Sequence, residues 1–280
     1  MNYSSELYGD IDAPETLGEL LQVANTGGWA PGYETKRLWR GHADIRWRLD
    51  SGAVRRKIAT RRNANLITKS PESFPTEREI ARYELELIRR AEAQGYRQYQ
   101  GRRLSDLELL TLLQHYGAAT RLIDFSRSLL IALWFASYRK EHHSQVGLLI
   151  GLDFTHVPSV GALRSVDAST ASMKELVELG GDDPLYSALA WQPPPMSNRI
   201  LVQHSHFVFG RVNYTNTGTL SPPPFNNIVK YIAIRPELKL KLATMWSPLF
   251  NLTPAELFPD IEGFSSFNRA DASIPNQPWY

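Results

Sequence analysis

The chain has 280 residues, 42% of them hydrophobic, and a formal net charge of +2, which is enough apolar material for one large core. It has no cysteine, which excludes a disulfide framework, a thiolate zinc site and a cysteine nucleophile, and points to a reducing compartment. Met1 to Asp10 holds neither a basic nor an apolar stretch, and no apolar run reaches the roughly 18 to 20 residues of a membrane span, so neither secretion nor insertion is expected and a cytoplasmic location is.

A first helix is expected after Asp12. Asp12 and Glu15 have capping-box spacing, Pro14 suits the first turn, and Leu17, Leu20, Leu21 and Ala24 share a face that Gly27 and Gly28 end. Arg37 to Trp39 reads as a short strand that gives way at Gly41 to a tight polar turn. Thr76 with Glu79 opens a helix whose buried face holds Ile80, Tyr83, Leu87, Ile88 and Ala91. Ser105 with Glu108 opens another, with Leu104, Leu107, Leu110 and Leu113 at helical spacing up to the polar Gln114-His115-Tyr116-Gly117. Leu129 to Tyr138 is almost wholly apolar and predicts a buried central helix.

Beyond it, Val146 to Phe154, Ile200 to Val202, Phe207 to Phe209 and Ile228 to Ile234 carry the β-branched and aromatic bias of strands. A helix is expected over Lys174 to Leu179, and loops at Pro193 to Pro195 and Pro222 to Pro224. Thr253, Pro254 and Glu256 cap a last short helix, and Ser265 to Tyr280 reads as a tail. The fold class is α+β: a helical N-terminal half and a strand-rich second half around one core, in one domain over residues 1–280.

Positive charge gathers early, with ten Lys or Arg against two Asp from Lys36 to Arg62, either a solvated surface or a face for phosphates or a nucleic-acid backbone. Arg40 at a strand end can offer its planar fork to a phosphate or carboxylate, with Gly41 admitting a ligand to the backbone; alternatively it pairs with a core aspartate while the glycine turns the chain. The run Gln114 to Ser126 sets His115, Arg121, Asp124 and two hydroxyls between apolar helices, where each needs a partner. Arg121 and Asp124 pair with each other or with Arg40, or His115 is an acid or base with Asp124 as its orienter or as an anchor for Arg40. If Asn198 to Phe207 is a regular strand, Arg199, Gln203 and Ser205 share a polar face, and His204 and His206 share the other; no carboxylate lies near that pair in sequence, and no metal is assigned. Trp246 to Phe258 reads as packing. Phosphate-loop, Gly-x-Gly-x-x-Gly, Gly-x-Ser-x-Gly and His-Glu-x-x-His motifs are absent, which argues against the common nucleotide hydrolases and metalloproteases.

Trp39-Arg40-Gly41, the Gln114-His115-Tyr116-Gly117-x-x-Thr120-Arg121-Leu122-x-Asp124 run and Ala132-Leu133-Trp134-Phe135-Ala136 together resemble the FRG domain family, and Arg199-x-x-x-Gln203-x-x-x-Phe207 also looks like a block of it. The likeness spans roughly Leu38 to Phe209, with the strand and helix of residues 226–262 packed on that core. It implies a bacterial or phage-encoded protein with a role as a toxin or in phage defence, and an antitoxin or defence-system partner. A more distant likeness, an early Arg-Gly on a strand and a late Arg and Gln, is to ADP-ribosyltransferases, and implies a split-sheet cleft that binds NAD or another nucleotide. On that likeness Arg40 holds a phosphate or ribose, Gly41 meets the base or amide, Gln114, Thr120, Arg121 and Arg199 line the cleft, and His115, Asp124 and Gln203 are the candidates for chemistry. Ser205 or His206 stands where those enzymes carry an acid. Two other readings remain: a nucleic-acid-binding protein or nuclease using Lys36 to Arg62 with His115 and His206, and a non-catalytic regulatory domain. Under the first reading Arg40, Arg121 and Asp124 should meet around one cleft.

Overall fold

A computed structural model describes residues 1–26, 37–63, 74–153, 171–179, 188–220 and 229–268. Its centre is one sheet of eight strands: β1 (Asn2–Ser5), β2 (Gly9–Asp12), β3 (Arg37–His42), β6 (Ile123–Ser126), β7 (Gly147–Asp153), β8 (Leu189–Trp191), β9 (Ser205–Phe209) and β10 (Val229–Ile234). The spatial order is β1-β2-β10-β7-β3-β6-β9-β8, and β4 (Gln98–Tyr99) with β5 (Arg102–Arg103) forms a separate hairpin. Pairing is antiparallel except where β10 meets β2, so the fold is α+β, with β1, β2, β3 and β6 drawn from the first half of the chain.

The period-2 alternation of strands sorts the central residues between two faces. Every residue of β7 is buried, as expected of a central strand covered on both sides. Leu149, with Trp39, Ile232 and Ile234, packs under α1 (Leu17–Asn25), α5 (Leu129–Ser137) and α8 (Pro236–Ala243). Leu148, Ile150 and Leu152, with Leu38, Phe125 and Val208, pack with Ile45, Leu49 and Leu220 from the loops of the other face. A third cluster joins α3 (Glu77–Ala93), α4 (Asp106–His115) and α6 (Met173–Leu179) to Phe207 and Phe209 of β9. The expected buried helix is α5, and it lies so close to β3 that a Cβ built on Gly41 would sit 1.9 Å from the Ala132 carbonyl oxygen.

Both capping boxes, at Thr76 and at Ser105, form as their spacing predicts. Thr253 likewise caps α10 (Pro254–Leu257). Trp246, which opens α9 (Trp246–Phe250), and Leu257 are buried in the cluster that holds Trp134.

Three expectations need correction. The first helix begins at Leu17, capped by Thr16, because Asp12 is already committed to the sheet opposite Asn2 and Ile232. β3 does not stop at Gly41: it pairs with β7 from Arg37 to His42, and the turn follows at Ala43. Ile200 to Val202 is not strand but part of α7 (Asn198–Val202), because the Ser197 hydroxyl accepts from the Ile200 amide and starts a helix; His204, at φ 49°, breaks the chain direction before β9 begins at Ser205. Gly27, Gly28, Lys36, Phe154, Pro222 to Pro224, Ile228 and the tail from residue 269 lie outside the described residues. Among the described residues no helix is long and apolar enough to cross a membrane.

Candidate functional site

α4 ends in a Schellman motif, and this places the polar run. Gly117 takes φ 83°, its amide donates to the Gln114 carbonyl at 2.9 Å, and the Ala118 amide donates to the Leu113 carbonyl at 2.9 Å. The chain then crosses α3 and α2 (Gly52–Asn63): the Tyr83 hydroxyl donates to the Ala119 carbonyl at 2.9 Å and the Ala53 amide to the Thr120 carbonyl at 2.8 Å. With the backbone held on both sides, the side chains form a relay. Thr120 Oγ1 donates to Gln114 Oε1, and Gln114 Nε2 donates to Asp124 Oδ1 at 2.9 Å. Asp124 is thereby braced while 62% of its side chain faces solvent.

Arg40 approaches the same point from β3. Its Nη1 donates to the Asp124 carbonyl at 2.6 Å and lies 3.9 Å from Asp124 Oδ2, and its Nε donates to His42 Nε2 at 3.0 Å. The guanidinium keeps 19% of its surface exposed, and its Nη2 meets no acceptor among the described residues. His42 must therefore be neutral with its proton on Nδ1; burial, and then the neighbouring Arg40 charge, push its pKa down to about 3. Burial lowers the Arg40 pKa, Asp124 opposes that, and Arg55 of α2 adds to it, which puts a second cation near the first. The Tyr8 hydroxyl donates to the Trp47 carbonyl at 2.8 Å; its pKa is raised by burial, Tyr231 and Asp50 against the opposing pull of Arg48 and Arg40, so it remains a donor.

The other candidates go elsewhere. Arg121, 2% exposed, turns from Asp124 toward α3: its Nε donates to Glu84, its amide to Glu84 Oε1 at 2.9 Å, and its Nη1 to Glu77 Oε1 at 3.0 Å and the Gly210 carbonyl at 3.2 Å. Burial works against the Arg121 charge, but Glu84 and Glu77 outweigh it and hold the pKa up. So Arg40 and Asp124 meet, and Arg121 does not join them. Gly41 faces α5, with its side-chain direction filled by the Ala132 and Ala136 backbone.

His115 and Arg199 form a third group around Asp260. Arg199 grips that carboxylate with Nε at 3.0 Å and Nη2 at 2.8 Å, while His115 Nε2 lies 3.3 Å from Asp260 Oδ2. Asp260 also caps α11 (Ile261–Phe267) by accepting from the Gly263 amide at 2.7 Å. Burial lowers the His115 pKa, Arg199 adds to the fall, and Asp260 and Glu262 oppose it. His115, Asp260 and Glu262 bring one ligand atom each within 4.8 Å of one another, but the Arg199 guanidinium already supplies Asp260 with the positive charge that an ion would bring. Gln203 Nε2 donates to the Leu257 carbonyl at 2.7 Å, which ties the end of α7 to α10. His206 is buried in β9, while His204 sits in the left-handed turn before it.

Within Lys36 to Arg62, Arg46, Arg48 and Arg61 are paired with Asp44, Asp50 and Glu79, and Arg55, Arg56 and Arg62 remain exposed on α2. Sequence reasoning passed over Glu84 and Asp260. A glutamate on the same helix face as Ile80, Ile88 and Ala91 was a readable sign of a buried partner; nothing near Asp260 in sequence announces His115 or Arg199.

A family model, that of the FRG domain, matches residues 35–145, from the start of β3 through α5. The match takes in Arg40, Gln114, Thr120 and Asp124, and ends before Arg199 and Gln203. No curated protein and no solved structure matches the chain.

Proposed function

As the chain carries an FRG domain, we propose that it is an effector of a bacterial toxin or phage-defence system whose site binds NAD or a related nucleotide at Arg40 and Asp124. One observation carries the reading: a guanidinium fixed by two hydrogen bonds, with donors still open, stands beside an exposed carboxylate braced by Gln114 and Thr120. Arg40 is suited to phosphate oxygens, Arg55 brings a second charge for a diphosphate, and Asp124 accepts from ribose hydroxyls. In ADP-ribosyl transfer the bond from ribose C1′ to nicotinamide breaks and nicotinamide leaves with the electron pair. An acceptor hydroxyl or amine then attacks C1′, with Asp124 stabilising the cationic ribose and taking the acceptor's proton. A chain without cysteine suits the cytoplasm, where NAD is at hand, and the family resemblance supplies the expectation of an antitoxin or defence-system partner.

The test is a thermal-shift titration of the parent and Arg40→Ala with NAD, ADP-ribose and ATP, followed by an assay for nicotinamide release by the parent and Asp124→Asn. A ligand at a hundredfold its dissociation constant stabilises the fold by about 2.7 kcal/mol. Stabilisation by NAD that vanishes in a folded Arg40→Ala supports the site; nicotinamide release lost in Asp124→Asn supports the transfer. No shift with any nucleotide overturns the reading in favour of a regulatory domain. The exposed Arg55, Arg56 and Arg62 of α2 favour a second reading, in which a short RNA binds with affinity that falls steeply with salt.

A further inference from the structure

The turn after β3 displays a tryptophan that the core does not use. Trp47 is 41% exposed although the residues around it in the turn, Ile45 and Leu49, are buried. The turn is firmly held: the Ile45 amide donates to the Val146 carbonyl at 2.8 Å, the Trp47 amide to the Asp44 carbonyl at 3.1 Å, the Leu49 amide to the Thr217 carbonyl at 2.7 Å, and the Trp47 carbonyl takes the Tyr8 hydroxyl at 2.8 Å. The indole meets the His142 ring at 5.1 Å and 86°, and the His42 ring at 6.2 Å. It is thus a large aromatic surface on rigid backbone, its orientation set before any ligand arrives.

His42 links this surface to the Arg40 site. Its Nε2 takes the Arg40 Nε at 3.0 Å, and its ring lies next to the indole. The Trp47 carbonyl attracts the ring's proton, yet Nδ1 has no partner in hydrogen-bond geometry. A guanidinium, an imidazole and an exposed indole therefore follow one another, the first suited to phosphate and the last to a flat aromatic group, in the order of the parts of a nucleotide.

We infer that Trp47 is the stacking surface for the ligand's base, so that the site takes a nucleotide bearing a heteroaromatic base and not a bare phosphate or sugar phosphate. This rests on the nucleotide reading of the Arg40 site and goes beyond it by naming the base subsite. Both faces of a purine or a nicotinamide offer the π surface that indole stacking uses, and a sugar phosphate offers none.

Isothermal titration of the parent, Trp47→Ala, Trp47→Leu and Trp47→Phe with NAD and with inorganic pyrophosphate tests it. The parent should bind NAD at least about tenfold more tightly than pyrophosphate, and Trp47→Ala should lose about tenfold or more for NAD while its affinity for pyrophosphate is unchanged. Trp47→Leu, which keeps apolar bulk without a ring, should lose as much as the alanine variant, and Trp47→Phe should stay within about threefold of the parent. NAD binding unchanged in Trp47→Ala and Trp47→Leu but lost in Arg40→Ala overturns the base subsite and leaves the nucleotide reading standing. A parent that binds pyrophosphate as tightly as NAD overturns the base subsite alone, and a parent that binds neither ligand overturns both.

Discussion

The knots around Arg121 and around Arg40 use the same materials, an arginine and acidic side chains, and the polar run contributes to both within four residues of chain. Their surroundings are opposite. Arg121 and Glu84 are each 2% exposed, and the guanidinium is surrounded by Glu84, Glu77 and the Gly210 carbonyl. Arg40 is 19% exposed beside an Asp124 that is 62% exposed, and it keeps donors to spare. A pair sealed from water on both sides holds helices in place; an accessible pair can exchange water for a ligand. The motif that draws attention in sequence is therefore part scaffold and part site, and exposure separates the two.

The largest effect is expected at the scaffold end. Arg121→Ala leaves the buried Glu84 carboxylate without its partner and should cost about 3 to 5 kcal/mol in denaturant unfolding. The double replacement Arg121→Met with Glu84→Leu should recover part of that loss, since the apolar side chains need no partner while the residue 121 amide and Glu77 lose theirs. If the double variant also keeps nucleotide stabilisation, Arg121 has no part in the site. Next comes Gly41→Ala. Its Cβ would lie 1.9 Å from one backbone atom of α5 and 2.7 Å from another, which no side-chain rotation can relieve. A loss of about 3 kcal/mol is expected from forcing helix and sheet apart. A Gly41→Ala variant as stable as the parent would show that α5 packs more loosely than the comparison requires.

How much of this was legible follows from how far each signal reaches along the chain. Thr76 with Glu79 and Ser105 with Glu108 state their helix starts within three residues, and both form. Asp12 has the same spacing to Glu15 and fails, because the partner that claims its backbone, Ile232, lies far along the chain. Ile200 to Val202 has strand composition, yet a single hydroxyl one turn earlier decides for helix. The candidate site divides in the same way. Arg40 and Asp124 could be paired from the motif, and Gln114 and Thr120 stand in the same run. The destinations of Arg121 and His115 depended on Glu84, Asp260 and Arg199, which other elements bring in. Trp39-Arg40-Gly41 shows the limit within three residues: Trp39 and Gly41 face α5 as packing, and only Arg40 turns to the polar side.

A smaller effect is expected from pH. Burial and Arg40 hold His42 at about 3 against an ordinary 6.5, so the unfolded chain takes up a proton that the folded one excludes. The stability that neutral His42 contributes is fully present above pH 6.5 and is lost as the pH falls through 6.5 toward 3. At about 1.4 kcal/mol per pH unit, the loss from pH 7 to pH 5 is about 2 kcal/mol. His115 and His206 are also pushed down by burial and act in the same direction, so the measure is the difference between parent and His42→Gln in urea unfolding at the two pH values. Equal losses in both would mean that His42 is protonated in the fold, and that the hydrogen bond it accepts from Arg40 is not made.

The smallest effect on stability belongs to Arg40, and it gives the comparison its sharpest edge. Arg40→Ala removes two hydrogen bonds at a part-buried position beside the exposed Asp124, where solvent can enter in place of the guanidinium against the Asp124 carbonyl and His42 Nε2. Such partly exposed interactions contribute little, and the loss at pH 7 should stay below about 1 kcal/mol. Removing that charge also removes one of the two main forces that keep His42 neutral, so the His42 pKa rises and the loss between pH 7 and pH 5 becomes smaller than in the parent. Urea unfolding of Arg40→Ala at both pH values reads both effects. A drop at pH 7 as large as that of Arg121→Ala would make Arg40 a second scaffold arginine and end the reading of Arg40 and Asp124 as a site. A small drop with a flattened pH response would leave Arg40 as the arginine whose removal the fold tolerates and the ligand does not.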